Sequence, residues 1–156
     1  MRLYLVQHAE AMPKELDNQR PLTAQGREDV VRTGGFLSLF ERPKPTRILH
    51  SQKLRAGQTA AMFAEAWGCD GVEEAPDLLP MSDAAIWAAR LVEVHEDIML
   101  VGHKPHLPRL AGLLLCDDAE REVVHFRYAG VTCLERNENE WSICWQIHPA
   151  LFYPQD

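Results

Sequence analysis

The chain has 156 residues, 46% of them hydrophobic and 25% charged, the proportions of an ordinary globular protein. That length suits one domain, residues 1–156, with a single sizeable core, and no run approaches the roughly 18 apolar residues of a membrane span. A formal net charge of −7 argues against nucleic acid as a partner, because most of the surface would repel a polyanion.

The first apolar run, residues 2–7, reads as a buried strand and spills into Gln7, His8 and Glu10. Residues 1–10 hold too short an apolar run for a secretory signal. A polar stretch with Pro13 and Pro21 follows, and Thr23 is placed to cap a helix over 24–40 with Val30, Gly34, Leu37 and Phe40 on one face. The segment RPKP breaks it. Residues 46–51 predict a second strand, and residues 53–67 a helix stopped by Gly68.

Ser82 is the predicted N-cap of a helix over 83–94. Residues 97–103 form a third apolar strand ending in His103, and Pro105 suits the first turn of a helix over 105–115. The tail from Glu122 reads as strand, strand, a polar turn around 137–140, and a last strand. Strands alternating with helices predict a three-layer α/β/α domain whose mostly parallel sheet gains antiparallel strands at its C-terminal end. Cys69, Cys116, Cys133 and Cys144 lack disulfide or metal spacing, so the expectation is reduced thiols in a cytoplasmic protein.

Charge is unevenly placed. Residues 1–64 hold ten Lys/Arg against six Asp/Glu, whereas residues 65–156 hold six against seventeen. In open α/β sheets the binding crevice lies beyond the C-terminal ends of the parallel strands. Three strands end there in polar residues: Gln7-His8, His50-Ser51 and Gly102-His103. Helices start just after the second and third, adding N-terminal dipoles that favour an anion. Arg20 and Arg55 each have an ordinary explanation as solvated or ion-paired residues. Arg55 is the less ordinary, since a cation in a first helical turn opposes the dipole.

The segments LVQHAEA, RPLTAQG, HSQKLRAGQTA and VGHKPHL, in this order and spacing, resemble the motifs of the histidine phosphatase superfamily (phosphoglycerate mutase-like). The short chain and the RPLT–G segment look most like its SixA-type phosphohistidine phosphatase branch. The resemblance implies a phosphohydrolase working without metal or other cofactor. His8 would be the nucleophile, passing through a phosphohistidine intermediate. Arg20 and Arg55 would hold the phosphoryl oxygens and His103 would donate to an oxygen gaining charge. Ser51 and Thr59 lie in or beside the motif, for support of this shell or for capping and packing. The implied substrate is a phosphorylated protein, such as a phosphotransfer domain, or a small phosphorylated molecule.

The family motif is usually Arg-His-Gly, and here it reads Gln7-His8-Ala9. Gln7 can still bind phosphate through its amide but brings no charge. A charged hydrogen bond contributes roughly 1.5–3 kcal/mol against about 0.5–1.5 for a neutral one, so about a tenfold rate loss follows if the difference falls in the transition state. Ala9 adds a methyl where backbone and substrate approach. Lys53 and Lys104 are neighbours of Arg55 and His103 that would restore the charge, or simply solvated lysines. Glu10 and Asp83 are candidates for general acid, or a surface and a capping residue.

A phosphohistidine leaves as an imidazole, whose pKa near neutrality needs an acid far less than an alkoxide does. A site without a clear acid therefore fits that substrate better than a sugar phosphate. Two other readings compete. One is a weak or inactive phosphoryl-binding module, made so by Gln7. The other takes His8, His50 and His103 as metal ligands, which the alternation of side chains at His50 and Ser51 opposes.

Overall fold

A computed structural model of the chain describes residues 1–154. Six strands form one sheet: β1 (Arg2–Gln7), β2 (Arg47–His50), β3 (Val72–Glu74), β4 (Ile98–Gly102), β5 (Val131–Asn137) and β6 (Glu140–Ile147), in the order β3-β2-β4-β1-β5-β6. The first four run parallel, β5 runs antiparallel to β1, and β6 antiparallel to β5. Four helices complete the fold: α1 (Ala24–Phe40), α2 (Leu54–Trp67), α3 (Ala84–Val92) and α4 (His106–Cys116). Among the described residues no helix is long and apolar enough to cross a membrane, and all four cysteines are free.

The period of two along a strand sorts side chains between the layers. Tyr4 and Val6 of β1, Ile48 of β2 and Met99 and Val101 of β4 pack with Val30, Leu37, Ala56, Ala60 and Phe63 of α1 and α2. Leu3, Leu5, Leu49, Ile98 and Leu100 face the other way, onto Trp87 and Leu91 of α3 and Leu107 and Leu110 of α4. Both faces of the central strands are therefore apolar, as a covered parallel sheet requires. The predicted three-layer α/β/α architecture is the observed one.

Local details differ from the sequence reading in four places. Asp83, not Ser82, caps α3, its carboxylate accepting the Ala85 N–H at 2.9 Å. Phe40 does not join the core: it lies exposed at the end of α1 and stacks on Phe36 with ring centroids 4.6 Å apart. The acidic stretch after Gly71 contributes a short edge strand, β3, because the free side of β2 pairs with it. Residues 122–130, read as a strand, form a loop. β1 already lies between β4 and β5, so neither side of β1 is open to a further strand. Val124 and Phe126 bury themselves against the α3/α4 layer, and only Tyr128 makes a bridge, to Gln7.

Thr23 caps α1 as predicted, accepting the Gly26 N–H at 2.9 Å. The same threonine ties the helix to the turn after β1: its N–H donates to the Glu10 carbonyl at 3.0 Å and its hydroxyl to Glu10 Oε1 at 2.7 Å. Gly26 lies so close to that carbonyl that a Cβ would overlap it. Gly26→Ala is therefore expected to destabilise the fold by about 1–3 kcal/mol, as overpacking does, with the turn after His8 displaced. Chemical denaturation together with amide shifts at Ala9–Ala11 checks both effects, and an unshifted turn contradicts this account.

Candidate active site

β1, β2 and β4 end side by side. Gln7 pairs with Gly102, and the His8 N–H donates to the Gly102 carbonyl at 3.0 Å. This register brings the two histidines that follow β1 and β4 together, with ring centroids 4.9 Å apart and planes at 56°. Both are buried. They open onto a cavity of about 610 Å³ lined by Gln7, His8, Arg20, Arg55, His103 and Lys104 from the strand ends and by residues 125–128 of the loop before β5.

The protonation pattern of His8 follows from its partners. Its Nδ1 lies 2.7 Å from the Ala9 carbonyl, a pure acceptor, so Nδ1 carries the proton. Its Nε2 faces the Arg55 Nε–H at 3.2 Å, a pure donor, so Nε2 holds the lone pair. The ring is neutral, with its nucleophilic nitrogen turned toward a guanidinium. Burial, with Arg55 and Arg20 adding, lowers its pKa to about 4 against the opposing pull of the Ala9 carbonyl.

Thr59 of α2 holds this arrangement from behind. Its hydroxyl donates to the Arg55 carbonyl at 2.7 Å and accepts the Ala9 N–H at 3.0 Å. One side chain thus fixes the backbone on both sides of the His8–Arg55 contact. Ala9 itself is fully buried in the α1/α2 layer, so its methyl packs in the core and is not part of the cavity wall.

His103 is oriented by Ser51, whose Oγ lies 2.6 Å from Nε2. That oxygen also accepts the Lys53 N–H at 3.3 Å; where its own proton goes to Nε2, the ring proton of His103 lies on Nδ1. Nδ1 has no partner within the protein and belongs to a ring lining the cavity. Burial first, then His8 and Arg55, lowers the His103 pKa to about 3.

Arg20 reaches the cavity from a left-handed backbone position, φ 52°, with its Nε–H donating to the Met12 carbonyl at 3.0 Å. Arg55, nearly buried, has its pKa lowered by burial and by Arg20. Gln7 is buried with Oε1 unpartnered. Lys104 lines the cavity, whereas Lys53 occupies the N-cap position of α2 and does not.

The structure does not bring the candidate acids to the cavity wall. The Glu10 carboxylate accepts the Thr23 hydroxyl, and the Asp83 carboxylate caps α3. Among the described residues no Asp or Glu lines the cavity. His50 points onto α2 against Gly57, its Nδ1 2.9 Å from the Ser51 carbonyl, so the three-histidine ligand set does not assemble. Among the described residues no group of three or more His, Cys, Asp or Glu is placed to hold a metal ion.

Sequence reasoning missed the far wall. His125, Arg127 and Tyr128 line the cavity, and the Tyr128 ring lies 5.3 Å from that of His8. The alternation of His125 and Arg127 with Val124 and Phe126 reads as a strand, although the same alternation indicates that His125 and Arg127 are turned away from the core.

No protein-family model and no curated protein matches the sequence. Solved structures do. The protein histidine phosphatase SixA complexed with tungstate aligns at a TM-score of 0.85 over 98% of this chain and 100% of its own, with 21% identity. Alpha-ribazole phosphatase from Shigella flexneri aligns at 0.74 over 92% of this chain and 94% of its own, with 19% identity. A mycobacterial glucosyl-3-phosphoglycerate phosphatase solved with VO3 aligns at 0.71 over 92% and 97%, with 18% identity. The chain has the histidine phosphatase-like fold.

Two measurements test this geometry. Thr59→Val keeps the volume but leaves the Ala9 N–H unpaired, so stability should fall by about 1–3 kcal/mol and anion affinity with it. Unchanged affinity would mean that the tether does not position Arg55. The second concerns acid. His8, His103 and the fully buried His106, lowered by burial to about 4, are held neutral below the usual 6.5. The unfolded chain takes up these protons first. Stability is therefore complete above pH 6.5 and is lost as pH falls toward 4, at up to about 1.4 kcal/mol per pH unit for each ring. His106, with both ring nitrogens unpartnered, contributes to that slope, so His106→Leu should make it shallower. Urea unfolding at pH 7, 6 and 5 reads this; equal midpoints would show that the rings titrate normally.

Proposed function

We propose that this chain is a phosphohydrolase that takes the phosphoryl group of a protein phosphohistidine onto His8 Nε2 and passes it to water. The observation that carries this reading is the lone pair of a neutral, buried His8, turned to Arg55 at a cavity lined by cations and, among the described residues, by no carboxylate. The metal-independent character of the proposed reaction rests on guanidinium and imidazole groups carrying the charge that a metal would otherwise carry.

In the first step Nε2 attacks phosphorus in line. The new N–P bond forms as the substrate's N–P bond breaks, and the electron pair leaves on the substrate imidazole, which takes a proton from solvent. In the second step water attacks the same phosphorus from the side the imidazole has vacated. The bond to His8 breaks, inorganic phosphate leaves, and the water's proton returns to solvent. Arg55 and Arg20 hold the equatorial oxygens as two-pronged donors. Nδ1 of His103, kept protonated by Ser51, donates to an oxygen whose charge rises. Thr59 and Ser51 are positioning residues.

The nucleophile needs no base to free it, because burial already keeps His8 neutral at pH 7. No acid reaches the leaving-group side, since Glu10 and Asp83 are engaged elsewhere. An imidazole leaving group tolerates this and an alkoxide does not, which favours phosphohistidine over phosphate esters. SixA, the neighbour aligning over its whole length, is itself described as a protein histidine phosphatase. The partner inferred is a phosphorylated protein presenting its histidine at an open crevice, as a phosphotransfer domain does.

Incubation with a 32P-phosphohistidine protein, quenched in alkali, should trap label on the wild-type chain in an acid-labile, alkali-stable bond. His8→Ala should carry none, and its turnover should fall at least about a thousandfold. Turnover should survive a strong chelator, and an aryl phosphate should be hydrolysed more slowly than the phosphoprotein. Binding of tungstate without turnover of either substrate would overturn the reading.

A further inference from the structure

Gln7 leaves the cavity one charge short of the Arg-His-Gly pattern that the sequence resembles, and the loop before β5 brings one in. We propose that Arg127 is a phosphoryl-binding residue, supplying from that loop the guanidinium that position 7 lacks. This rests on the phosphohydrolase reading of the same site.

Three observations place it there. First, the loop is fastened to the residue in question. Tyr128 bridges to Gln7, the Ala129 N–H donates to the Gln7 carbonyl at 3.1 Å, and the Gly130 N–H closes back on the Arg127 carbonyl at 3.0 Å. Arg127 therefore sits beside Gln7 on a pinned turn, and both line the cavity. Tyr128 stands next to His8 as the adjoining wall.

Second, nothing in the fold uses the Arg127 charge. Arg2, Arg32, Arg47, Arg90 and Arg109 all pair with carboxylates. No ion pair engages Arg127, Lys104, Arg20 or Arg55 among the described residues.

Third, the burial of its neighbours fixes which way the segment faces. Val124 and Phe126 are buried, while His125 and Arg127 are exposed, so the anchored loop leaves the Arg127 side chain on the solvent side, where it lines the cavity. A dianion bound between His8 and Arg55 would meet a third guanidinium across the opening, in place of one beneath it.

Tungstate affinity of the full-length protein tests this without requiring turnover. Arg127→Ala and Arg127→Gln should each weaken it about tenfold or more, as loss of a charged contact does. Arg127→Lys should fall between, and the remote Lys44→Ala should change nothing. In a Gln7→Arg background the loss caused by Arg127→Ala should shrink, because the two guanidiniums serve one anion.

Tungstate affinity unchanged in Arg127→Ala overturns the proposal, even where the KM for a phosphoprotein rises, since the arginine would then touch the partner and not the phosphoryl group. Equal losses in the wild-type and Gln7→Arg backgrounds overturn the substitution of one charge for the other. A wild-type chain that binds tungstate through Arg127 yet turns over no substrate would refute the phosphatase reading and leave this one standing.

Discussion

The contact between the Arg55 Nε–H and the His8 Nε2 lone pair is the constraint on which the rest of the site depends. A guanidinium is always charged and only donates, so a nitrogen facing it at 3.2 Å must be bare. The other ring nitrogen must then carry the proton, and the Ala9 carbonyl is there to accept it. Tautomer, ring orientation and charge state of His8 thus follow from one side chain and one carbonyl. Thr59 bonds to the backbone of both Arg55 and Ala9, so a single hydroxyl couples the helix that carries the cation to the turn that carries the imidazole.

This arrangement is costly in the absence of an anion. Four cations line one cavity with no carboxylate among its described lining residues, and burial and Arg20 both lower the pKa of Arg55. The imidazoles of His8 and His103 shed their protons, so they add no further positive charge. The guanidiniums cannot do the same. The chain carries a net charge of −7, and the arginines that form ion pairs elsewhere sit against carboxylates at the surface. Keeping carboxylates out of this one region preserves a field that a small dianion can satisfy, while the acidic remainder discourages polyanions. Charge is concentrated by exclusion of its opposite more than by its own abundance.

Much of this was legible in the sequence because the parallel-strand topology converts position along the chain into position in space. A strand ending in histidine near residue 8 and another near residue 103 must end on the same edge once both strands are parallel neighbours, and the register of Gln7 with Gly102 completes the meeting. Arg55 was readable from its adverse place in a first helical turn. The far wall was not. Residues 122–130 alternate as a strand does, and only the crowding of β1 by β4 and β5 keeps them out of the sheet. That crowding is a tertiary fact. β3 was missed for the converse reason: three residues with two glutamates carry no strand signal, yet the open side of β2 recruits them. Glu10 and Asp83 carry the right chemistry for an acid, but local hydrogen bonding to Thr23 and Ala85 engages them first, as short polar groups beside helix starts commonly are.

The absence of a wall carboxylate and the glutamine at position 7 are best understood together. An arginine beneath the phosphoryl group and an acid above the leaving group both serve a hard reaction, in which a poor leaving group makes charge pile up on oxygen. With an imidazole departing, the N–P bond is already weak and little charge accumulates. Loss of one donor then costs less, since only interactions that strengthen in the transition state accelerate a reaction. A neutral amide at position 7 and a crevice open to solvent are what such a substrate permits. For an alcohol ester the same two features would compound each other, one weakening the hold on phosphate and the other stranding an alkoxide. Under the proposed phosphohistidine reading, one leaving group tolerates both the glutamine at position 7 and the lack of an acid among the described lining residues.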